Sequence, residues 1–282
     1  MDFRTIVDIP KGPFELSPCE RMFFVGSCFA DSIGRRAQQE KFRVVVNPYG
    51  VMYNPASVLH TVQQYLTDHP IPYTTVLTLG TNHVYILKET GEIVDNCQKR
   101  PQHLFEEREL TVDECADYLR QTVSCLLAAN PDMRIVLTVS PIRYRKYGYH
   151  ESQLSKATLL LAIQQLLSQP SPLAAHLCYF PSYEIVLDEL RDYRFYAADM
   201  LHPSEQAVEY IWQRFGETFF SEETKRFMAK WQPLKEALAH RPFNPDSEEY
   251  QTFRMKTLQR LQELQREYPD MVVEEIQAIE KQ

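Results

Sequence analysis

The chain has 282 residues, a formal net charge of -8 and six cysteines. That length suits one large α/β domain, or a domain with a helical appendage, and the acidity without a dense Lys/Arg block speaks against a nucleic-acid or anionic-membrane partner. Cys19, Cys28, Cys97, Cys115, Cys125 and Cys178 form no C-x-x-C pair, no apolar run approaches a membrane span and the amino end lacks a signal-peptide core, so a soluble cytoplasmic protein with reduced thiols is expected.

In chain order, an extended lead-in punctuated by Pro10, Pro13 and Pro18 precedes an apolar strand at Arg21–Val25. That strand ends in Gly26-Ser27-Cys28, and from Phe29 the spacing becomes helical, with small residues such as Ala30, Gly34 and Ala37 on the inner side. Ser27 and Cys28 thus fall at a strand-to-helix turn, where unpaired amides and the positive end of the helix dipole favour a thiolate or an oxyanion. A β-branched strand at 42–46 and the turn Asn47-Pro48-Tyr49-Gly50 lead to a helix capped by Asn54 with Pro55 at its first position. A third strand spans 74–79 and is followed by Gly80-Thr81-Asn82-His83. The segments 84–87 and 92–94 then read as a hairpin. Thr111-Val112-Asp113-Glu114 is a capping box, and a strand at 134–139, a helix at 151–167 and a strand at 177–180 follow. Such alternation predicts a parallel sheet with helices on both faces, whose ligands collect at the carboxyl ends of the strands. His202-Pro203-Ser204-Glu205 reads as the start of a helix with proline at its first position. After Arg241-Pro242, a last helix carries Tyr250, Phe253, Leu258, Leu261, Leu264 and Tyr268. The expected organisation is an α/β domain over 1–240 and a helical extension over 241–282 packed on it.

Asp199-Met200-Leu201-His202 sets a carboxylate three residues before an imidazole, the spacing at which one ring nitrogen is oriented while the other faces a nucleophile. D-x-x-H alone is a common helix-entry pattern. Its weight comes from the nucleophile turn expected at the same sheet edge. Gly50 and Asn82, each after a strand, can supply an amide and a side-chain donor to an oxyanion hole, or can simply make turns. No G-x-S-x-G elbow, glycine-rich phosphate loop or metal-ligand spacing is present, so neither a cofactor nor a metal is expected.

Gly26-Ser27-Cys28-Phe29-Ala30, Asn47-Pro48-Tyr49-Gly50 with Tyr53-Asn54-Pro55, Asn96-Cys97-x-Lys99, Thr138-Val139-Ser140-Pro141, Tyr179-Phe180-Pro181-Ser182-Tyr183-Glu184 and Asp199…His202-Pro203 together resemble the GSCFA-domain family. That family resembles the SGNH or GDSL-like hydrolases, which implies a three-layer α/β/α, flavodoxin-like sheet and an esterase or acyltransferase type of site. In the GDSL pattern one residue separates glycine from the nucleophile, so the register puts Cys28 in that position. Ser27 as nucleophile with Cys28 packed inward, or a site without catalysis, are the rival readings. The expected roles are Cys28 or Ser27 as nucleophile, His202 as base and acid, Asp199 as orienter, and Gly50 and Asn82 as oxyanion donors. The expected substrate is a small-molecule or carbohydrate ester, and the competing function is a binding module using the same cleft.

Overall fold

A computed structural model describes residues 4–95, 97, 99–168 and 175–281. Asn96 and Gln98, within one of the family-like segments, lie outside the described residues. The core is a five-stranded parallel sheet formed by β1 (Arg21–Gly26), β2 (Arg43–Val46), β3 (Thr74–Leu79), β7 (Arg134–Val139) and β8 (Leu177–Tyr179), in the order β2-β1-β3-β7-β8. Counting only these strands, the order is 2-1-3-4-5, that of the flavodoxin-like doubly wound fold, with the chain reversing direction across the sheet between β1 and β3. The three central strands are buried almost throughout because both faces are covered. On one face, Phe23, Val25, Leu77, Leu79, Ile135 and Leu137 join a core with residues of α2 (Pro55–Asp68), α3 (Val112–Ala129) and α4 (Tyr149–Leu167). On the other, Val76 and Val136 share a small apolar cavity with Phe29 and Ile33 of α1 (Cys28–Gln39) and Ile211 and Phe215 of α6 (Glu205–Phe219).

The excursion after β3 is a separate antiparallel sheet, β5-β4-β6, made of β4 (His83–Leu87), β5 (Glu92–Val94) and β6 (Phe105–Glu109). The hairpin agrees with its turn composition. The third strand has the sequence Phe-Glu-Glu-Arg-Glu, which carries no apolar alternation because β6 is an edge strand with mostly solvent-facing side chains. The helix expected from Pro203 begins later, at Glu205. Pro203 instead forms an isolated antiparallel bridge with Tyr196, and the Ser204 hydroxyl accepts from the Ala207 amide as a cap does.

Two compact units divide the chain, one of Met1–Leu16 and Glu20–Phe219, the other of Ser17–Cys19 and Phe220–Gln282. In the second, α7 (Glu222–Ala239), α8 (Glu248–Glu267) and α9 (Val273–Glu280) bury Phe227, Trp231, Leu234, Leu261, Leu264, Ile276 and Ile279 together with Cys19. Within this unit the apolar face of α7 is completed by α8 and α9. Among the described residues no helix is long and apolar enough to cross a membrane.

Candidate active site

The turn after β1 is built around one glycine. Gly26 has φ +139°, and a Cβ there would lie 2.0 Å from the Thr78 carbonyl oxygen of the neighbouring strand. Only glycine lets β1 leave the sheet so close to β3. Ser27 then caps α1: its hydroxyl accepts from the Phe29 amide at 3.2 Å, its Oγ lies 3.4 Å from Thr78 Oγ1, and the residue is 1% exposed. Cys28 is the first residue of α1 and is half-buried. As the opening residue its amide has no acceptor inside the helix. Its Sγ lies 3.5 Å from the hydroxyl of Tyr53. Of the two candidate nucleophiles, Ser27 is turned into the fold as a cap and Cys28 is turned toward solvent beside a phenol.

The second candidate group sits on a tight turn before α6. Asp199 Oδ2 pairs with His202 Nδ1 at 2.5 Å, so Nδ1–H donates to the carboxylate and Nε2 is left to take or give a proton. The other carboxylate oxygen accepts the amides of Leu201 and His202 at 2.9 and 3.0 Å. Met200, between the pair, adopts φ +59°. These bonds, led by the two backbone amides, hold the Asp199 carboxyl well below its ordinary value, at about 2. The carboxylate is therefore ionised across the neutral range.

Among the described residues no hydrogen bond joins Cys28 to His202, but a short run of contacts connects them. Tyr53 and Tyr144 rings lie 6.1 Å apart. Arg143, next to Tyr144 in the loop after β7, donates its amide to the Leu201 carbonyl at 3.1 Å and its Nη1 to the Met200 carbonyl at 3.1 Å. Its guanidinium lies 4.2 Å from the Tyr149 ring centre and 5.5 Å from that of Tyr196. Arg143 thus fastens the Asp199–His202 turn to the loop that also carries Tyr144. No spacing signal in the sequence reveals the partners of Arg143.

Beneath this edge, the ammonium of Lys156 on α4 donates to the carbonyls of Gly80 at 2.7 Å and Ser140 at 2.8 Å, tying together the ends of β3 and β7. Lys156 is fully buried, and burial lowers its pKa from 10.5 to about 7. The neutral amine still has two N–H groups for the two carbonyls. Above about 7 the folded protein releases this proton while the unfolded chain holds it up to its ordinary 10.5, so the unfolded state binds more protons in that window and stability rises with pH. Thermal melts of wild type and Lys156→Met from neutral to alkaline pH should therefore diverge, with wild type gaining on the variant as pH rises. A constant difference would refute the assignment. The variant should be less stable throughout, since two buried carbonyls lose their donor at roughly 1–3 kcal/mol each.

The oxyanion donors expected from sequence are engaged elsewhere. The Gly50 amide closes its own turn on the Asn47 carbonyl at 2.9 Å. Asn82 is 3% exposed, its Nδ2 donates to the Leu110 carbonyl at 2.8 Å and its amide to Ser155 Oγ at 3.0 Å. Asn82 instead anchors the start of the β4-β5-β6 excursion to Leu110, at its far end, and to α4. Among the described residues no group of three or more His, Cys, Asp or Glu side chains could hold a metal ion.

Comparison with known proteins adds a family. Solved structures with a similar course of the chain include an acetyl esterase mutant with acetate ion, at 11% identity and TM-score 0.45, over 75% of this chain and 99% of that one. A carbohydrate esterase family 3 protein from Talaromyces cellulolyticus matches at 12% identity and TM-score 0.40, over 70% and 95%. An acetyl-xylooligosaccharide esterase mutant from Geobacillus Stearmophilus matches at 12% identity and TM-score 0.42, over 73% and 96%. No curated protein matches the chain. A model of the C-terminal domain of GSCFA domain proteins matches residues 231–282. The GSCFA family model itself matches residues 21–74 and 72–215, including the Gly26-Ser27-Cys28 turn and the Asp199–His202 pair, and the chain belongs to the GSCFA family.

Proposed function

We propose that this chain is an SGNH-like acyl hydrolase in which Cys28 is the nucleophile, His202 the general base and acid, and Asp199 its orienter. The observation that carries the reading is the Asp199–His202 pair, bonded through Nδ1 on a turn that Arg143 fastens to the loop beside Tyr53 and Cys28. A base oriented in this way leaves Nε2 facing outward for proton transfer. The nucleophile–base hydrogen bond closes when substrate binds, as such bonds are often long in unliganded sites.

The Cys28 thiol gives its proton to His202 Nε2, and its sulfur attacks the ester carbonyl, forming a C–S bond. The tetrahedral adduct collapses, breaking the C–O bond, and the leaving alcohol takes the proton from His202. Water then attacks the thioester and gives a proton to His202; as the C–S bond breaks the acid is released and His202 returns that proton to the Cys28 sulfur. The substrate is a short acyl ester of a small hydroxylated molecule or carbohydrate.

Turnover of p-nitrophenyl acetate and acetate release from an acetylated xylo-oligosaccharide test this reading. Activity on both is expected. Absence of turnover, combined with a higher melting temperature in the presence of the acetylated glycan, favours a non-catalytic binding module. Acetyl transfer to added glycerol in excess of hydrolysis favours an acyltransferase with the same residues.

A further inference from the structure

Gly50 and Asn82 are engaged elsewhere, so neither is the donor for the charge that develops on the carbonyl oxygen. We propose that the Tyr53 hydroxyl fills this role, as a catalytic hydrogen-bond donor to the oxyanion of the adduct on Cys28; the inference rests on Cys28 being the nucleophile.

Position is the first support. The oxyanion is attached to the carbon that bonds to sulfur, so a hydroxyl 3.5 Å from Cys28 Sγ is within hydrogen-bond reach of it. Preorganisation is the second. The Tyr53 carbonyl accepts the amides of Gly80 at 2.8 Å and Thr81 at 2.9 Å, which pins its backbone to the end of β3. Its ring lies against Gly80, where an added Cβ would come within 3.2 Å of Cδ1, so Gly80 provides the shelf on which the ring rests. Tyr144 stands beside the ring. The third support is the state of the hydroxyl. Cys28 is its hydrogen-bond partner, and the residue is 39% exposed, open to an incoming ester. Burial, followed by the Cys28 hydrogen bond, holds the phenol above its ordinary value, so it remains a protonated donor at working pH.

The step balances without proton loss from Tyr53. As the C–S bond forms, the carbonyl π pair moves to oxygen, and the phenol O–H, released from sulfur, donates to that oxygen. When the adduct collapses the pair returns, the C–O bond to the alcohol breaks, and the O–H returns to its resting partner. The Cys28 amide, which has no intrahelical acceptor, points from the same helix end and is a natural second donor.

Tyr53→Phe removes the hydroxyl and keeps the ring on its shelf. Its kcat on p-nitrophenyl acetate should fall by ~10²–10³-fold with KM almost unchanged, the effect of losing one oxyanion donor. Inhibition by acetaldehyde, which forms a tetrahedral hemithioacetal on the thiol, should weaken in parallel. Alkylation of Cys28 by iodoacetamide develops no oxyanion, so its rate should change only through the lost contact with sulfur and by far less than kcat, with the melting temperature unchanged. Wild-type kcat and aldehyde inhibition in Tyr53→Phe would overturn the proposal. So would a parallel loss of alkylation, which would make Tyr53 a support for the thiol alone. If Cys28→Ala abolishes turnover and Tyr53→Phe does not, only this inference fails; if Cys28→Ala keeps turnover, the parent reading fails with it.

Discussion

Cys28→Ala lowers ester turnover by at least ~10³-fold, as removal of a nucleophile does, while Ser27→Ala leaves the chemistry largely intact and lowers stability by about 1 kcal/mol. The asymmetry follows from where the two side chains go. The Ser27 hydroxyl accepts from the Phe29 amide and lies beside Thr78 Oγ1 in a buried position, so its loss uncaps α1 and leaves a buried donor without an acceptor. Cys28 contributes its sulfur to an open edge beside Tyr53, so its loss removes chemistry and little packing. Brief iodoacetamide labelling with peptide mapping gives an independent check. Cys28 should label ahead of Cys115 and Cys178, whose thiols burial pushes up to about 12. Full activity in Cys28→Ala with loss in Ser27→Ala would transfer the role to Ser27.

The other large effect is at the base. His202→Ala should reduce kcat/KM by about 10²–10⁴-fold, the range for loss of a general base, with the melting temperature nearly unchanged. The turn does not depend on the imidazole. Asp199 Oδ1 is held by backbone amides that alanine retains, and Arg143 grips the carbonyls of Met200 and Leu201. The His202 side chain is itself 44% exposed. Asp199 behaves differently toward pH. Its folded value, about 2, lies below its ordinary 3.8, so its contribution to stability is complete above the ordinary value and is lost as pH falls toward 2. An acid limb of the activity profile nearer neutrality therefore does not belong to Asp199, and Asp199→Asn should lower the rate by removing the acceptor that orients the imidazole. Collapse of the melting temperature in His202→Ala would return the residue to the role of a helix-entry support.

The sheet was legible because its five strands are apolar on both faces and end at Gly, Asn or Pro, signals that need no knowledge of the partner strand. The same is true of the helix starts capped by Asn54 and Thr111, whose side chains accept from Ser57 and Glu114 amides as their spacing implies. Edge strand β6 was not legible, since an edge strand with charged faces has no hydrophobic period to read. Nor was the late start of α6, because Pro203 suits a first helical turn and an extended bridge equally, and only pairing with Tyr196 decides. At the site, the local pair Asp199–His202 could be read from three-residue spacing. Tyr53 could not, because its nearness to Cys28 depends on the loop after β2 crossing the end of β1. Gly50 and Asn82 carried the right chemistry in the right loops, but whether an amide is already engaged is a property of the folded neighbourhood.

The central claim, that an acyl group passes through the Cys28 sulfur, is most directly tested by trapping the intermediate. Wild type mixed with p-nitrophenyl acetate and quenched in acid during the first turnover should yield, by fragmentation mass spectrometry, an acetyl group on Cys28 that hydroxylamine removes as it does a thioester, and none on Cys28→Ala. An acetyl group on Ser27, or sustained turnover with no acetylated residue in this turn, would contradict the account.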